Sequence, residues 1–555
     1  MPSQLASVRR GAAALAAALA ILACERPPGC TGDYCGTLIL GAAGEPDILL
    51  PPVSDRALAR DIYDQVFLKL ADIGISLNTL GDSGFVPLLA QRWEWDDPLT
   101  LVFHIDPRAR WHDGRPVTAA DVAFTFDAYT DPVVASPYAA NLSRIRAVTA
   151  RDSMIAVFRF RERYPEMFYD AVYHMRILPS HLLHVIPRNR WATSEFGRRP
   201  TGSGPYRFVL WQAGERIELA ADSTFFLGRP HIRRLIWRAA ADIPAVVNLL
   251  LADEADAVEV VFPPDNLERI RGASHLRTYP YAGSTYTALV FNLRAAGDTS
   301  RPHPLFGDRE MRRALFLATD RERMLRGTLG DLARLPPGPV PQMWWLWELD
   351  ARPLPYDSAR AVRLLEQRGW RDADGDGTRD KDGVRLSFRL ATLSTSAIRR
   401  RYAQLLQAQY RALGADVQID ELEGTVFDER NRTGQFDATL ASWQVDPSPA
   451  SSFPQTWTSA GVGGSNSGRY ANPVFDRMVE QAAGASPAQS RRLWQAVLRQ
   501  LNEDATGIWL YAIGNVGVVH QRVADVRFRP DSWWALIRTW RIPPDRLIER
   551  DRAER

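Results

Sequence analysis

Two rhythms of apolar and polar positions run along this chain, and the switches between them outline its elements. Residues 99–105 alternate in the period of two that suits a half-buried strand, and residues 37–41 read as a first strand. Residues 56–70 show the three-and-four spacing of a helix. Thr118-Ala-Ala-Asp121 is a capping box: its hydroxyl and carboxylate answer the orphan N–H groups at the start of a helix running to Tyr129. Residues 206–210 and 216–219 predict a hairpin around Gln212-Ala-Gly214. Further helices are predicted over 308–319, 358–367, 396–413 and 488–502, and strands over 385–390 and 415–419. No period of about 20–50 residues repeats, so solenoid architectures are excluded. The pattern is that of a mixed α/β protein with several lobes.

The start of the chain follows neither rhythm. Arg9 and Arg10 precede an unbroken apolar run of thirteen residues, 11–23, that ends at Cys24. Such a run fits a secretory signal and is short of the ~20 residues that span a membrane. Ile21-Leu22-Ala23-Cys24 resembles a bacterial lipobox, in which Cys24 takes a diacylglycerol thioether and becomes the first residue of the mature chain. Residues 1–23 are then a signal peptide and 24–35 a tether, held to the membrane at about 0.8 kcal/mol per buried CH₂. In an oxidising compartment Cys30 and Cys35 close a small loop worth about 2 kcal/mol, too short to organise the fold.

Charge removes other classes. Lys and Arg number 68 against 65 Asp and Glu, so there is no electrostatic footprint for nucleic acid or a membrane surface. Only Lys69 and Lys381 are lysines, which reads as a GC-rich genome rather than a binding function. Catalytic constellations are missing as well. Gly464-Ser-Asn-Ser-Gly468 has Asn where a nucleophile elbow needs Ser. There is no His-Glu-x-x-His, no phosphate loop and, beyond Cys24, Cys30 and Cys35, no cysteine left for nucleophilic work in the mature body. The reading is a non-enzyme that carries no cofactor.

One run of residues is more specific. Pro87-Leu-Leu-Ala90, Trp93, Phe103-His-Ile-Asp-Pro107 and Trp111-His-Asp-Gly-Arg-Pro-Val-Thr-Ala-Ala-Asp-Val122 stand in order. Thr201-Gly-Ser-Gly-Pro-Tyr206, Phe291-Asn292, Asp308 with Arg312, Ala318-Thr-Asp-Arg321, Gly369-Trp370 and Tyr470-Ala-Asn-Pro473 with Asp476 follow. Together they resemble the extracellular solute-binding proteins, family 5, of the peptide and nickel ABC importers. The resemblance implies an α/β, three-lobed clamshell of the periplasmic-binding type II class with an extra domain, hinged between lobes I and III. It places lobe I in 36–75, 196–285 and 508–548, lobe II in 76–195, lobe III in 286–507, and a charged C-terminal tail in 549–555. It also implies a monomer, exported to the periplasm or cell surface, that binds a peptide or other small solute and docks on an ABC permease and ATPase complex. A clamshell sensor or chaperone is the alternative class, and a secreted hydrolase a more distant one.

The resemblance nominates site residues. Trp443-Gln-Val-Asp446 matches the Trp-x-x-Asp of oligopeptide binders, whose aspartate holds the peptide's α-ammonium; Ser442 and Gln444 flank it. An ammonium enclosed in a cleft needs such a carboxylate against its desolvation cost. The competing role for Asp446, before Pro447-Ser-Pro449, is to cap its own turn. This segment departs from the family, with Pro447 in place of an aromatic and Pro449-Ala450 in place of an acid and proline. Tyr138, in Ser136-Pro-Tyr-Ala-Ala-Asn-Leu142, is a lid contact by the same resemblance, or a packed loop aromatic. Trp344, Trp345 and Trp347, after a proline-rich loop, line a pocket or plug an interface, core packing being favoured. Asp372, Asp374, Asp376 and Asp380 have calcium-loop spacing, but Gly383 stands where such a loop needs Glu, so no metal is assigned. His181 and His184, with His174 upstream, have ligand spacing but read as structural.

Overall fold

Of the 555 residues, the computed structural model describes 34–261, 264–347 and 352–552. Cys24 and Cys30, and with them the lipidation and pairing expectations, lie outside the described residues; Cys35 is disulfide-bonded. Among the described residues no helix is long and apolar enough to cross a membrane.

The first strand, Cys35–Ala43, is central to a seven-stranded sheet. It pairs in parallel with Ile232–Ala240, which continues into the hairpin Arg216–Ala221 and Tyr206–Gln212. On its other side lie Ala257–Val258, Asn515–His520 and Leu276–Tyr281. A second sheet of six strands has Thr285–Phe291 and Ala438–Gln444 at its centre, flanked by Gly507–Ile513, Ala333–Arg334, Ser387–Leu393 and Asp416–Leu422. A third, antiparallel sheet of four strands spans Ala90–Asp97, Thr100–Ile105, Ile155–Phe160 and Ile145–Ala150. The first and third sheets share one apolar core, and the second has its own.

The chain passes between the first two sheets at adjacent points. Leu276–Tyr281 leads into Thr285–Phe291, and Gly507–Ile513 leads into Asn515–His520 through Gly514. The strand Gly507–Ile513 still belongs to the second sheet, so the crossover comes later than the boundary expected at 507/508. At Gly283 a Cβ would stand 2.3 Å from the Ile513 carbonyl oxygen, so the two crossings touch through a position that admits only glycine.

Local signals explain most elements. The helix Ala119–Thr130 carries the complete Thr118–Asp121 capping box, and Asp121 also accepts from the Ser180 N–H and hydroxyl, joining the helix to a later turn. The helix expected over 56–70 spans only Ala57–Val66. Its end is set from outside: Gly204 N–H takes the Val66 carbonyl at 2.7 Å, and Phe67 turns extended. The charged tail expected over 549–555 needs correction as well. Asp551 is 7% exposed, ion-paired with Arg522 and bound by Thr37 N–H, and so fastens the C-terminal segment to the first strand. A buried carboxylate with two such partners is a clamp.

Candidate functional site

The strand Ala438–Gln444 runs into the segment that carries Asp446. Alternation along it sends Ser442 and Gln444 to the exposed face, with Ser442 Oγ 2.7 Å from Thr287 Oγ1. Trp443 points the other way. Its ring stacks on Tyr286 at 5.4 Å and lies 5.7 Å from Trp457, on the core side of the sheet. The structure thus separates Trp443 from its two neighbours.

Beyond the strand, buried Gln342 donates to the Val445 carbonyl and pins the turn. Ser448 caps the helix Pro449–Trp457, its hydroxyl accepting from Ser451 N–H at 3.1 Å. Asp446 therefore does not cap this helix. Among the described residues its carboxylate has no hydrogen bond or ion pair, and it is exposed to a polar cavity of about 130 Å³. That cavity lies between the unit of the third sheet, which supplies Asn141, Arg144, Glu166, Tyr169, Asp170 and His174, and the unit of the second, which supplies Asp446 and Ser448.

Glu166 is the least expected member. It is 5% exposed, accepts from Thr79 Oγ1 at 2.5 Å within its own unit, and accepts from Ser448 Oγ at 2.7 Å across the cavity. Burial, with the nearby Asp170 charge adding, pushes its carboxyl up to about 7 against the lowering effect of the two hydroxyls. Asp170 accepts from Tyr164 Oη at 2.8 Å, and His174 lies 3.0 Å from Asn141 Nδ2. The cavity is thus rich in acceptors, which suits a cationic group with N–H donors.

The other nominated residues are placed elsewhere. Tyr138 is half-buried, its hydroxyl 3.3 Å from Tyr63 Oη and its ring beside Tyr129 and His174, so it is packed within the loop. Trp345 is buried, while Trp344 and Trp347 pack on each other at 5.2 Å and, with Tyr281, Gly283 and Asn515, enclose a small space beside the crossover strands. His181 is engaged with Asp113 at 2.7 Å and His184 with the Ser180 carbonyl at 2.9 Å, so the two do not converge. Asp372, Asp374 and Asp376 gather their oxygens within 4.8 Å of one another on the surface. Asp372 accepts from Gly375 and Gly377 N–H, Asp376 pairs with Arg385, and Asp380 turns away into the hairpin strand Asp380–Lys381.

A larger cavity, about 430 Å³, lies where the first and third sheet units meet, lined by Asp64, Lys69, Asp72, Phe225, Arg529 and Leu536. Its walls are largely self-paired: Asp64 takes a bidentate grip from Arg176 at 2.7 and 2.9 Å, and Arg529 joins Asp72 to Asp531. Lys69 Nζ sits 4.2 Å from the centre of the Tyr173 ring, and burial beside Arg176 lowers its pKa to about 8. Size alone would select this cavity. The smaller one is the candidate because it brings the exposed Asp446 carboxylate against Glu166, Asp170 and Ser448 between two sheet units.

Comparison with known proteins places these features in context. Residues 84–465 match the family described as bacterial extracellular solute-binding proteins, family 5 Middle. The oligopeptide-binding protein AppA of Bacillus subtilis is 25% identical over 519 residues, covering 90% of this chain and 91% of that protein. The periplasmic oligopeptide-binding protein OppA of Salmonella typhimurium is 25% identical over 548 residues, covering 91% and 92%. Among solved structures, the ABC transporter substrate-binding protein CtaP of Listeria monocytogenes superposes with a TM-score of 0.77 at 20% identity, covering 92% of this chain and 100% of that one. The AppA structure, in complex with a nonapeptide, gives 0.65 at 24% identity, with the same coverage.

Proposed function

The chain belongs to family 5 of the bacterial extracellular solute-binding proteins, and from that premise we propose that it captures a peptide-like solute with a free amino terminus and delivers it to the permease and ATPase complex of an ABC importer. Its fold is the α/β clamshell of that family. The observation that carries the ligand reading is the unpaired Asp446 carboxylate facing an acceptor-rich cavity between two sheet units. A free ammonium there gains charge-assisted hydrogen bonds that repay its lost hydration. Ser442 and Gln444, on the exposed face of the same strand, are placed to meet the ligand's backbone in strand fashion. Trp443 supports the strand from behind.

The three lobes of the reading correspond to the three sheets. The adjacent crossovers at 282–284 and 514 form the hinge between lobes I and III, and Ser448 to Glu166 is a latch between lobes II and III. Capture takes place in the open form, and closure is favoured only as far as the ligand binds the closed form better. The protein acts as a monomer without chemistry on its ligand. It is exported, and Cys24 tethers it to the membrane by its lipid. The names of AppA and OppA support peptide as the cargo. Native mass spectrometry of the protein purified without denaturant tests the reading: a ladder of peptide masses on the folded protein is expected, and a single non-peptide mass, such as a metal chelate, would overturn it.

A further inference from the structure

Between the short paired strands Ala71–Asp72 and Val86–Pro87 the chain makes a loop, residues 73–85, with a narrow base: a Cβ at Gly74 would stand 2.7 Å from the Gly84 carbonyl oxygen. Most of the loop is fastened to its own side of the molecule. Ile73, Leu77 and Phe85 enter the apolar core that the first and third sheets share. Gly81 N–H donates to the Pro165 carbonyl at 2.8 Å, and Asp82 accepts from the Trp93 and Trp95 indoles at 3.2 and 3.3 Å.

Leu80, at the tip, is the exception. It is 5% exposed, yet the core it joins is that of the second sheet. Next to it, a Cβ at Gly81 would meet Pro487, the first residue of the helix Pro487–Glu503, at 3.3 Å. On its other side Thr79 donates to Glu166, the acceptor that Ser448 shares. One leucine thus crosses between two bodies with separate cores, on a loop already ordered by its own body, so docking it orders little that is new. Leu80 lines neither of the two cavities described above, and its contact needs no ligand.

We propose that the loop 73–85 is a strap, with Leu80 as its knob, that draws the unit of the second sheet toward the closed form before any solute is bound. This rests on the hinge of the reading above and on nothing about the ligand. Burying one leucine shifts the closed-to-open ratio by about 10- to 100-fold. The solute then tips an equilibrium that is already biased, by its own preference for the closed form. Opening the clamshell returns Leu80 to solvent while Leu77 and Asp82 keep the loop in place.

The test uses protein freed of bound solute, as checked by native mass spectrometry. Small-angle scattering should give Leu80→Ala a larger radius of gyration than the wild type and Leu80→Met one close to it. Ile75→Ala, which truncates a residue of the same loop that is 78% exposed, should leave the radius unchanged. Hydroxyl-radical footprinting of the wild type needs no variant to fold: Leu80 should be oxidised several-fold more slowly than Ile75. Equal oxidation of the two overturns the strap and leaves the hinge standing, as does a Leu80→Ala variant with the wild-type radius and melting temperature. An unchanged radius with a lowered melting temperature makes Leu80 a permanent core residue, and strap and hinge fall together. A radius that grows as much in Ile75→Ala as in Leu80→Ala overturns the assignment to Leu80.

Discussion

Asp446→Asn isolates the charge that the ligand reading depends on, because the amide keeps the shape and one acceptor. Its expected size follows from the cavity. In the ligand-free protein Asp446 is exposed, so its carboxylate is hydrated and the substitution should leave stability within about 0.5 kcal/mol of the wild type. The cavity of about 130 Å³ is polar and has room for water, and an ammonium entering it must displace some of that water. Breaking a fully buried ion pair costs about 3–5 kcal/mol. Here Asp170 and the Glu166 carboxyl line the same cavity and offer second acceptors, so the cost should fall to about 2–3 kcal/mol, or roughly 30- to 150-fold in affinity. N-acetylating a peptide ligand removes the same interaction from the other side, so the two losses should not add. Titrating free and acetylated peptide against wild type and Asp446→Asn completes the cycle. Equal binding of both peptides to the wild type would refute the argument, as would a variant that loses melting temperature and no affinity.

The interlobe latch, the anchor and one buried histidine give further expectations. Glu166→Ala strips the Thr79 and Ser448 hydroxyls of their shared acceptor, so the closed form should become less populated; small-angle scattering with saturating ligand should give a larger radius of gyration than the wild type, and an identical one would exclude the latch. Cys24→Ser should move the protein from the membrane to the soluble fraction and abolish fatty-acid labelling, and label retained in the variant would count against the lipobox. His112 donates its Nε2–H to the Gly204 carbonyl and accepts from Gly202 N–H at Nδ1, and burial lowers its pKa to about 4. Its folded value lies below the unfolded ~6.5, so its stabilisation is complete above pH ~6.5 and is lost toward pH 4, by about 3 kcal/mol in all. Urea unfolding at pH 7.5 and 4.5 should show a smaller acid-induced loss in His112→Gln than in the wild type.

What could be read from the chain in advance was local. The Thr118–Asp121 box is a four-residue signal and appears intact, and the helix Ser358–Gln367 has the predicted bounds because its cap, Asp357, and its periodicity lie within one segment. The helix Ala57–Val66 ends early for a reason 138 residues away, at Gly204, which no window of sequence contains. The same holds for the site. The motif nominates Asp446 together with Trp443, and the strand alternation that turns the indole inward onto Tyr286 is not part of that motif. Glu166 carries no motif and looks like a surface charge until the fold buries it against Thr79 and Ser448.

The scarcity of lysine makes the protein its own stopwatch. An amine-directed acylating reagent has two side chains to modify, Lys69 and Lys381, and they occupy different worlds. Lys381 lies on a surface hairpin and reacts at a rate set by solvent. Lys69 has a pKa lowered to about 8 and so is chemically ready near neutrality, but its amine is seated against Tyr173 between lobes. Its acylation is therefore governed by access. The ratio of the two labels, read by mass spectrometry after a timed pulse, would report how often the cavity between the first and third sheet units admits reagent, against an internal reference and with no dye or engineered cysteine added.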